Sequence, residues 1–246
     1  MKLLNYFNVR TFLALVISQV AAFLATSYNI KFHLDLLLFG LCIVFPLHFS
    51  MQSAFKRRDR ALEYFSLFKG GAMALHYSFQ IAEDLVIEKK KKASLLLKDV
   101  VTQLLNQLEY RIAGYNNLQL KLDGLFSFIQ ENKEEISRRN TLRMVRYMRD
   151  VTESSAYLIS LINHRTVAGL RFYSAFFIVI FPLIQAPIVL YHLDGIVTTW
   201  LIYVFLAITS LILVTLNNFQ TMLEYPFDQK GLDNISIKDF SLDIPA

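Results

Sequence analysis

The chain has 246 residues, 54% of them hydrophobic and 18% charged, with a mean hydropathy of +0.39 and a net charge of +5. Soluble domains are roughly 45–50% apolar and about 25% charged, so this composition excludes disorder, collagen-like repeats and a disulfide-held scaffold. A single cysteine, Cys42, and eight scattered glycines also exclude an internal disulfide, a cysteine-cluster metal site and a glycine-rich phosphate loop.

The first apolar stretch, residues 11–28, approaches the ~20 residues that a bilayer crossing needs. Lys2 and Arg10 precede it as in a secretory signal, but a second stretch, 34–51, follows the short Asn29–His33 connection. That arrangement predicts a retained helix and a membrane hairpin over residues 1–55. Asp35 reads as a dipole-complementing or capping carboxylate at the start of the second helix. Residues 56–171 then carry 20 of the 25 Lys and Arg against 13 of the 20 Asp and Glu. Their periodicity predicts long helices. Leu96, Val100, Leu104, Leu108 and Ile112 form one stripe over 93–113, with Gly114 as terminator, and 118–130 and 134–161 continue in the same style.

The run Lys89–Lys92, after Glu83, Asp84 and Glu88, reads as a solvated helix end whose cations complement the dipole. No basic surface interleaved with aromatics points to nucleic acid. Between Pro46 and Pro182 there is no proline, which predicts helices entering this middle region directly from the second span and leading directly into the third. The third and fourth apolar stretches, 172–192 and 195–216, are joined by little more than Leu193–Asp194 and form a second hairpin over 172–216, followed by a tail over 217–246. Lys56, Arg57, Arg58 and Arg60 follow span two, and Arg165 and Arg171 precede span three. The positive-inside rule therefore places the middle and both termini in the cytoplasm. The expected fold class is all-α: a polytopic membrane protein with four transmembrane helices and a long-helix cytoplasmic bundle.

Signs of catalysis are lacking. The histidines (His33, His48, His76, His164 and His192) show no metal-ligand spacing, no nucleophile elbow appears, and no cofactor is expected. Among ionisable groups the spans offer Asp35 and His48, the latter reading as a histidine hydrogen-bonded at a helix packing site. At the inner end of span two, beyond Pro46, Leu47, Met51 and Phe55 recur at i, i+4 and i+8 and run into a basic, aromatic segment. Such a stripe reads either as helix packing or, in symmetry-related copies, as a hydrophobic constriction that gates ions by dewetting. The Phe45/Phe49 face is the nearest alternative.

Two segments resemble the bestrophin family of pentameric ion channels. In Ala54–Gly70, a Phe and a basic residue lead into a charged helix with the aromatic pair Tyr64 and Phe65, where bestrophins carry a Trp pair. In Thr221–Ile235, Glu224, Pro226, Phe227, Asp228 and Asp233 look like the family's acidic residue, Pro-Phe and Asp/Asn-rich turn after the last membrane helix. The resemblance implies a homopentamer in the plasma membrane (the bacterial inner membrane, if the source is prokaryotic), in contact with membrane lipid. Its central pore would be lined by span two, with a neck of Leu47, Met51 and Phe55. It implies a basic collar of Lys56, Arg57, Arg58 and Arg60, facing either the pore or lipid headgroups. The permeant would be a monovalent ion, by family habit chloride or another anion, although some bacterial members conduct cations. Phe227 would insert into an apolar site on the cytoplasmic helices. Calcium-gated members carry a dense acidic cluster after Pro-Phe, whereas here Lys230 separates Asp228 from Asp233. Ca²⁺ takes about 6–8 oxygen ligands, so calcium activation is not carried over. The reading from a different class is a membrane-anchored helical interaction protein using 56–171 as a docking platform without conduction.

Overall fold

A computed structural model describes residues 8–164, 168–193, 195–227 and 235–241. Regular structure among them is helical: α1 (Val9–Ser27), α2 (Leu36–Ile81), α3 (Ile87–Tyr110), α4 (Asn116–Glu131), α5 (Lys133–Ile136), α6 (Arg138–Asn163), α7 (Ala168–Leu193), α8 (Thr199–Leu223) and a 3-10 turn, Ile237–Phe240. The chain divides into two compact units. One is built chiefly from Met1–Lys56 and Thr166–Glu224, and the other from Arg57–Arg165 with tail residues from Tyr225 onward.

In the first unit, Thr11, Ala14, Ser18, Ala21, Ala22 and Ala25 form the buried face of α1. Small side chains at this spacing let helix backbones approach closely where lipid supplies no hydrophobic drive. Ala186, Val189 and Leu190 of α7 and Ile202 and Leu206 of α8 complete that contact. Polar groups bridge the same helices. Asn218 Nδ2 donates to Thr11 Oγ1 at 3.1 Å, Thr26 and Tyr203 share a hydroxyl contact at 2.8 Å, and Thr209 donates to Gln185 Oε1 at 2.9 Å. Asn8 caps α1, accepting from the Arg10 and Thr11 amides at 3.0 and 3.3 Å. The opposite face of α1, with Phe12, Leu13, Val20 and Phe23, is exposed.

Val9–Ser27, Phe172–Leu193 and Thr199–Leu223 are each long and apolar enough to cross a bilayer. The second expected span becomes the first turns of α2. Asp35 does act as a capping carboxylate, accepting the Leu37 amide at 2.8 Å. α2 continues through Pro46 and α7 through Pro182 and Pro187, a tolerance typical of long apolar helices.

The second unit is a helical bundle with a repeating 4–3 seam. Its buried residues are Ala61, Phe65, Phe68, Ala72, Leu75 and Phe79 on α2, then Ala93, Leu97, Val100 and Leu104 on α3. Leu118, Leu122, Leu125 and Ile129 on α4 and Met144, Met148 and Val151 on α6 repeat the spacing. Such spacing keeps one seam turned inward and favours shallow crossing angles. At Gly71 a β-carbon would lie 3.1 Å from Val151 Cγ2 and 3.4 Å from the Tyr147 carbonyl, so α2 and α6 approach closely there.

Four expectations for this region need correction. The buried stripe of α3 starts at Ala93 and Leu97, leaving Leu96 only partly buried and Ile112 exposed beyond the helix end. α3 ends at Tyr110, and Arg111, not Gly114, takes the left-handed capping position at φ 53°. The Arg111 guanidinium lies 4.0 Å over the Tyr225 ring, a cation–π contact that helps hold that conformation. The expected 134–161 helix breaks at Ser137, φ 67°, into α5 and α6, and α6 stops at Asn163 instead of running into α7. Finally, Lys89–Lys92 lie in the first turns of α3, at the positive end of its dipole. Their charge is offset elsewhere: Lys89 pairs with Glu135, Lys90 donates at 3.0 Å to the Gln80 carbonyl in the last turn of α2, and Lys92 lies 5.9 Å over the Phe128 ring.

Candidate functional site

The first five turns of α2 have two faces. Ile43, Ser50 and Ala54 are buried and Leu47 is half-buried, at 4–3–4 spacing. Leu47 lines a small cavity with Ile43, Tyr173, Phe177, Ile178 and Leu213, so it turns toward α7 and α8 of the same chain. Met51 is half-buried, and Phe55 meets Phe219 of α8 edge-on at 5.8 Å. Of the expected neck stripe, Leu47 and Met51 therefore border the packed face of the helix, while Phe55 is 41% exposed. On the other face Leu37, Leu41, Val44, Phe45 and Phe49 are exposed. Phe45 is 52% and Phe49 57% exposed, and their rings stack at 6.3 Å. His48 lies on this exposed side with its ring 6.0 Å from Phe49, not at the buried helix contact expected of it. The sequence signal for this face was the fourfold spacing Leu37, Leu41, Phe45, Phe49.

The basic cluster that follows is not uniform. Arg57 donates its guanidinium to the carbonyls of Leu161 and His164. These are among the carbonyls that the end of α6 leaves without helical partners, so Arg57 acts as a distant C-cap. Arg58 lies 3.6 Å from Asp59, while Lys56 and Arg60 are exposed. Arg165 and the side chain of Arg171 lie outside the described residues.

Of the family-motif residues, the structure brings Phe65 and Phe227 together and sets Tyr64 in a neighbouring stack. Tyr64 stacks on Tyr157 at 3.8 Å. Phe65 is fully buried, stacked on Phe240 at 4.0 Å and edge-on to Phe227 at 5.7 Å. Phe227 is itself 5% exposed. α8 stops at Leu223, three residues before Pro226, and the Ile235 amide donates to the Pro226 carbonyl at 2.7 Å. Glu224 is buried, with Gln220 Nε2 at 3.4 Å from its Oε1. Asp228 and Asp233 lie outside the described residues. Elsewhere on α2, His76 is buried with Nδ1 3.4 Å from the Ser94 hydroxyl, and burial pushes its pKa below the usual value. Among the described residues no group of three or more His, Cys, Asp or Glu is placed to hold a metal ion.

No family model matches the chain. No curated protein matches it either. Solved structures do match. A point variant of the bacterial bestrophin homolog from Klebsiella pneumoniae aligns at 15% identity and TM-score 0.70, over 94% of this chain and 93% of that one. A second variant of that homolog aligns at 13% identity and TM-score 0.73, over 94% and 93%. A structure described only as a membrane protein gives 13% identity and TM-score 0.73, over 94% and 92%. Nearly the whole length of both chains is superposed in each case, and with it the helix order derived above: this chain has the fold of the bacterial bestrophin homologs.

Proposed function

We propose that the chain is one subunit of a homo-oligomeric membrane channel for monovalent ions, a pentamer by the family's habit, with the exposed face of α2 around the pore. The observation that carries this reading is the Leu37–Leu41–Phe45–Phe49 stripe. It is apolar and aromatic, exposed in the single chain, and opposite the face that packs on α7 and α8. Copies arranged about an axis would turn such stripes into a narrow apolar passage that gates by dewetting. The neck then centres on Phe45 and Phe49, and Leu47 and Met51 support it from behind, with Phe55 below them against Phe219. Exposed Lys56 and Arg60 beyond the stripe favour anions, chloride among them. The positive-inside bias favours a cytoplasmic location for the α3–α6 region and both termini, with four membrane spans. The outer face of α1 suits contact with lipid.

The second reading, a membrane-anchored docking platform, is favoured by a groove of about 490 Å³ between α4 and α6, lined by Tyr115, Leu122, Phe126, Val145 and Met148. Ion-substituted bilayer recordings of the purified protein separate the two, since a platform passes no current. In the channel, F45A/F49A raises current while assembly is kept, and L47A/M51A/F55A chiefly lowers stability. Raised current from the triple variant alone moves the neck back to the Leu47 stripe.

A further inference from the structure

The loop between α1 and α2 and the last turn of α7 bring two histidines together. The rings of His33 and His192 lie 5.6 Å apart between centroids, inclined at 56°. Tyr191 meets both edge-on at 5.3 Å. His33 and His192 are exposed, so a hydrated ion reaches them without rearrangement of the helices. Two imidazoles bound to one ion at about 2.0–2.1 Å, spread at a tetrahedral angle, place their centroids about 5–5.5 Å apart. The observed spacing is within a few tenths of an ångström of that.

The protonation pattern agrees. His192 Nε2 lies 3.4 Å from the Leu34 carbonyl oxygen. A carbonyl only accepts, so Nε2 is the donor in this contact, and in the neutral ring that leaves Nδ1 with its lone pair. Metal-bound histidines are commonly oriented in this way, with the second ring nitrogen donating to a backbone carbonyl. Leu34 follows His33 directly in the chain, so the bond that fixes the His192 tautomer also anchors the loop carrying the other ring.

The geometry points to a two-histidine site for a late first-row divalent cation, Zn²⁺, Ni²⁺ or Cu²⁺, that ties the α1–α2 loop to the end of α7. Imidazole nitrogens select these ions over Mg²⁺ and Ca²⁺, which prefer oxygen. Two imidazoles leave the remaining coordination positions open to water or to further oxygen ligands. The site is independent of conduction and stands or falls apart from the channel reading.

The test uses the full chain without an affinity tag, purified in detergent, with Cys42→Ser removing its one thiol. Titration with Ni²⁺ or Zn²⁺ at pH 7.5 should show one saturable site per chain. His33→Ala and His192→Ala should each weaken it at least tenfold, and a large excess of Ca²⁺ should not compete. Cu²⁺ electron paramagnetic resonance should show two imidazole nitrogens in the parent and one in each single variant. Metal-free thermal unfolding of the variants confirms that they remain folded. Affinity within twofold of the parent in the double variant, equal competition by Ca²⁺, or one nitrogen in the parent spectrum would overturn the assignment.

Discussion

Phe227 is 5% exposed and packs edge-on against Phe65, which also stacks on Phe240. Phe227→Ala should therefore cost about 3–5 kcal/mol, the range for a buried Phe reduced to Ala, read as a lower denaturation midpoint of the purified protein. His76 responds to pH. Burial lowers its folded pKa below the unfolded value, so between those two values the unfolded chain binds more protons. Its contribution to stability is fully present above the unfolded value, near 6.5, and is lost as pH falls through the folded one. Melting temperatures measured from pH 7.5 to 5 should drop less steeply in His76→Gln than in the parent. The burial of Phe227 was legible through the resemblance of Pro226 and Phe227, placed after the last apolar helix, to the bestrophin motif. The burial of His76 was not, since a lone histidine among apolar neighbours carries no mark of its depth.

Adjacent glycines on α2 have opposite surroundings. Nothing lies within 4 Å of a β-carbon at Gly70, while at Gly71 the Val151 methyl and the Tyr147 carbonyl are in the way. Gly70→Ala should stabilise by up to about 1 kcal/mol through helix propensity, and Gly71→Leu should destabilise by about 1–3 kcal/mol through overpacking against α6. Chemical denaturation of the two variants beside the parent checks both signs. Most helices could be read from periodicity, but their ends could not. Arg111 and Ser137 take positive φ without being glycine, so neither break carries the usual residue signature. α3 begins after Val86 with no side-chain cap, which is why the lysine run was placed at the wrong end of a helix. The two faces of early α2 were equally opaque. That segment is apolar all round, and only packing against α7 and α8 distinguishes Leu47 from Phe45.

The all-helical character of the whole chain was its most legible feature, because apolar stretches of this length and spacing leave few alternatives to long helices, three of which are apolar enough to cross a bilayer. On the proposed channel reading, selectivity and regulation are less accessible, since they would depend on what surrounds an axis shared by several copies. Lys230 between Asp228 and Asp233 in the tail still gives a sharp expectation. Currents should be the same in chelator and in micromolar Ca²⁺, and Asp233→Ala should leave them unchanged; a calcium-dependent open probability abolished by that substitution would reverse this reading.

Arg57 has its partners 104 and 107 residues further along the chain. At synthesis rates of about 5–20 residues per second, roughly 5–20 s separate the emergence of the guanidinium from that of the carbonyls it binds. Throughout that interval the Phe65–Phe79 seam of α2 has no α6 to close against, and the nascent segment is most open to chaperones and proteases. The clasp becomes available only once Leu161 and His164 have emerged, directly ahead of the third apolar stretch. The seam can close on α6 only from then, and Phe227 and Phe240, which pack on Phe65, are made later still, so the bundle stays unfinished until α7 and α8 have been synthesised.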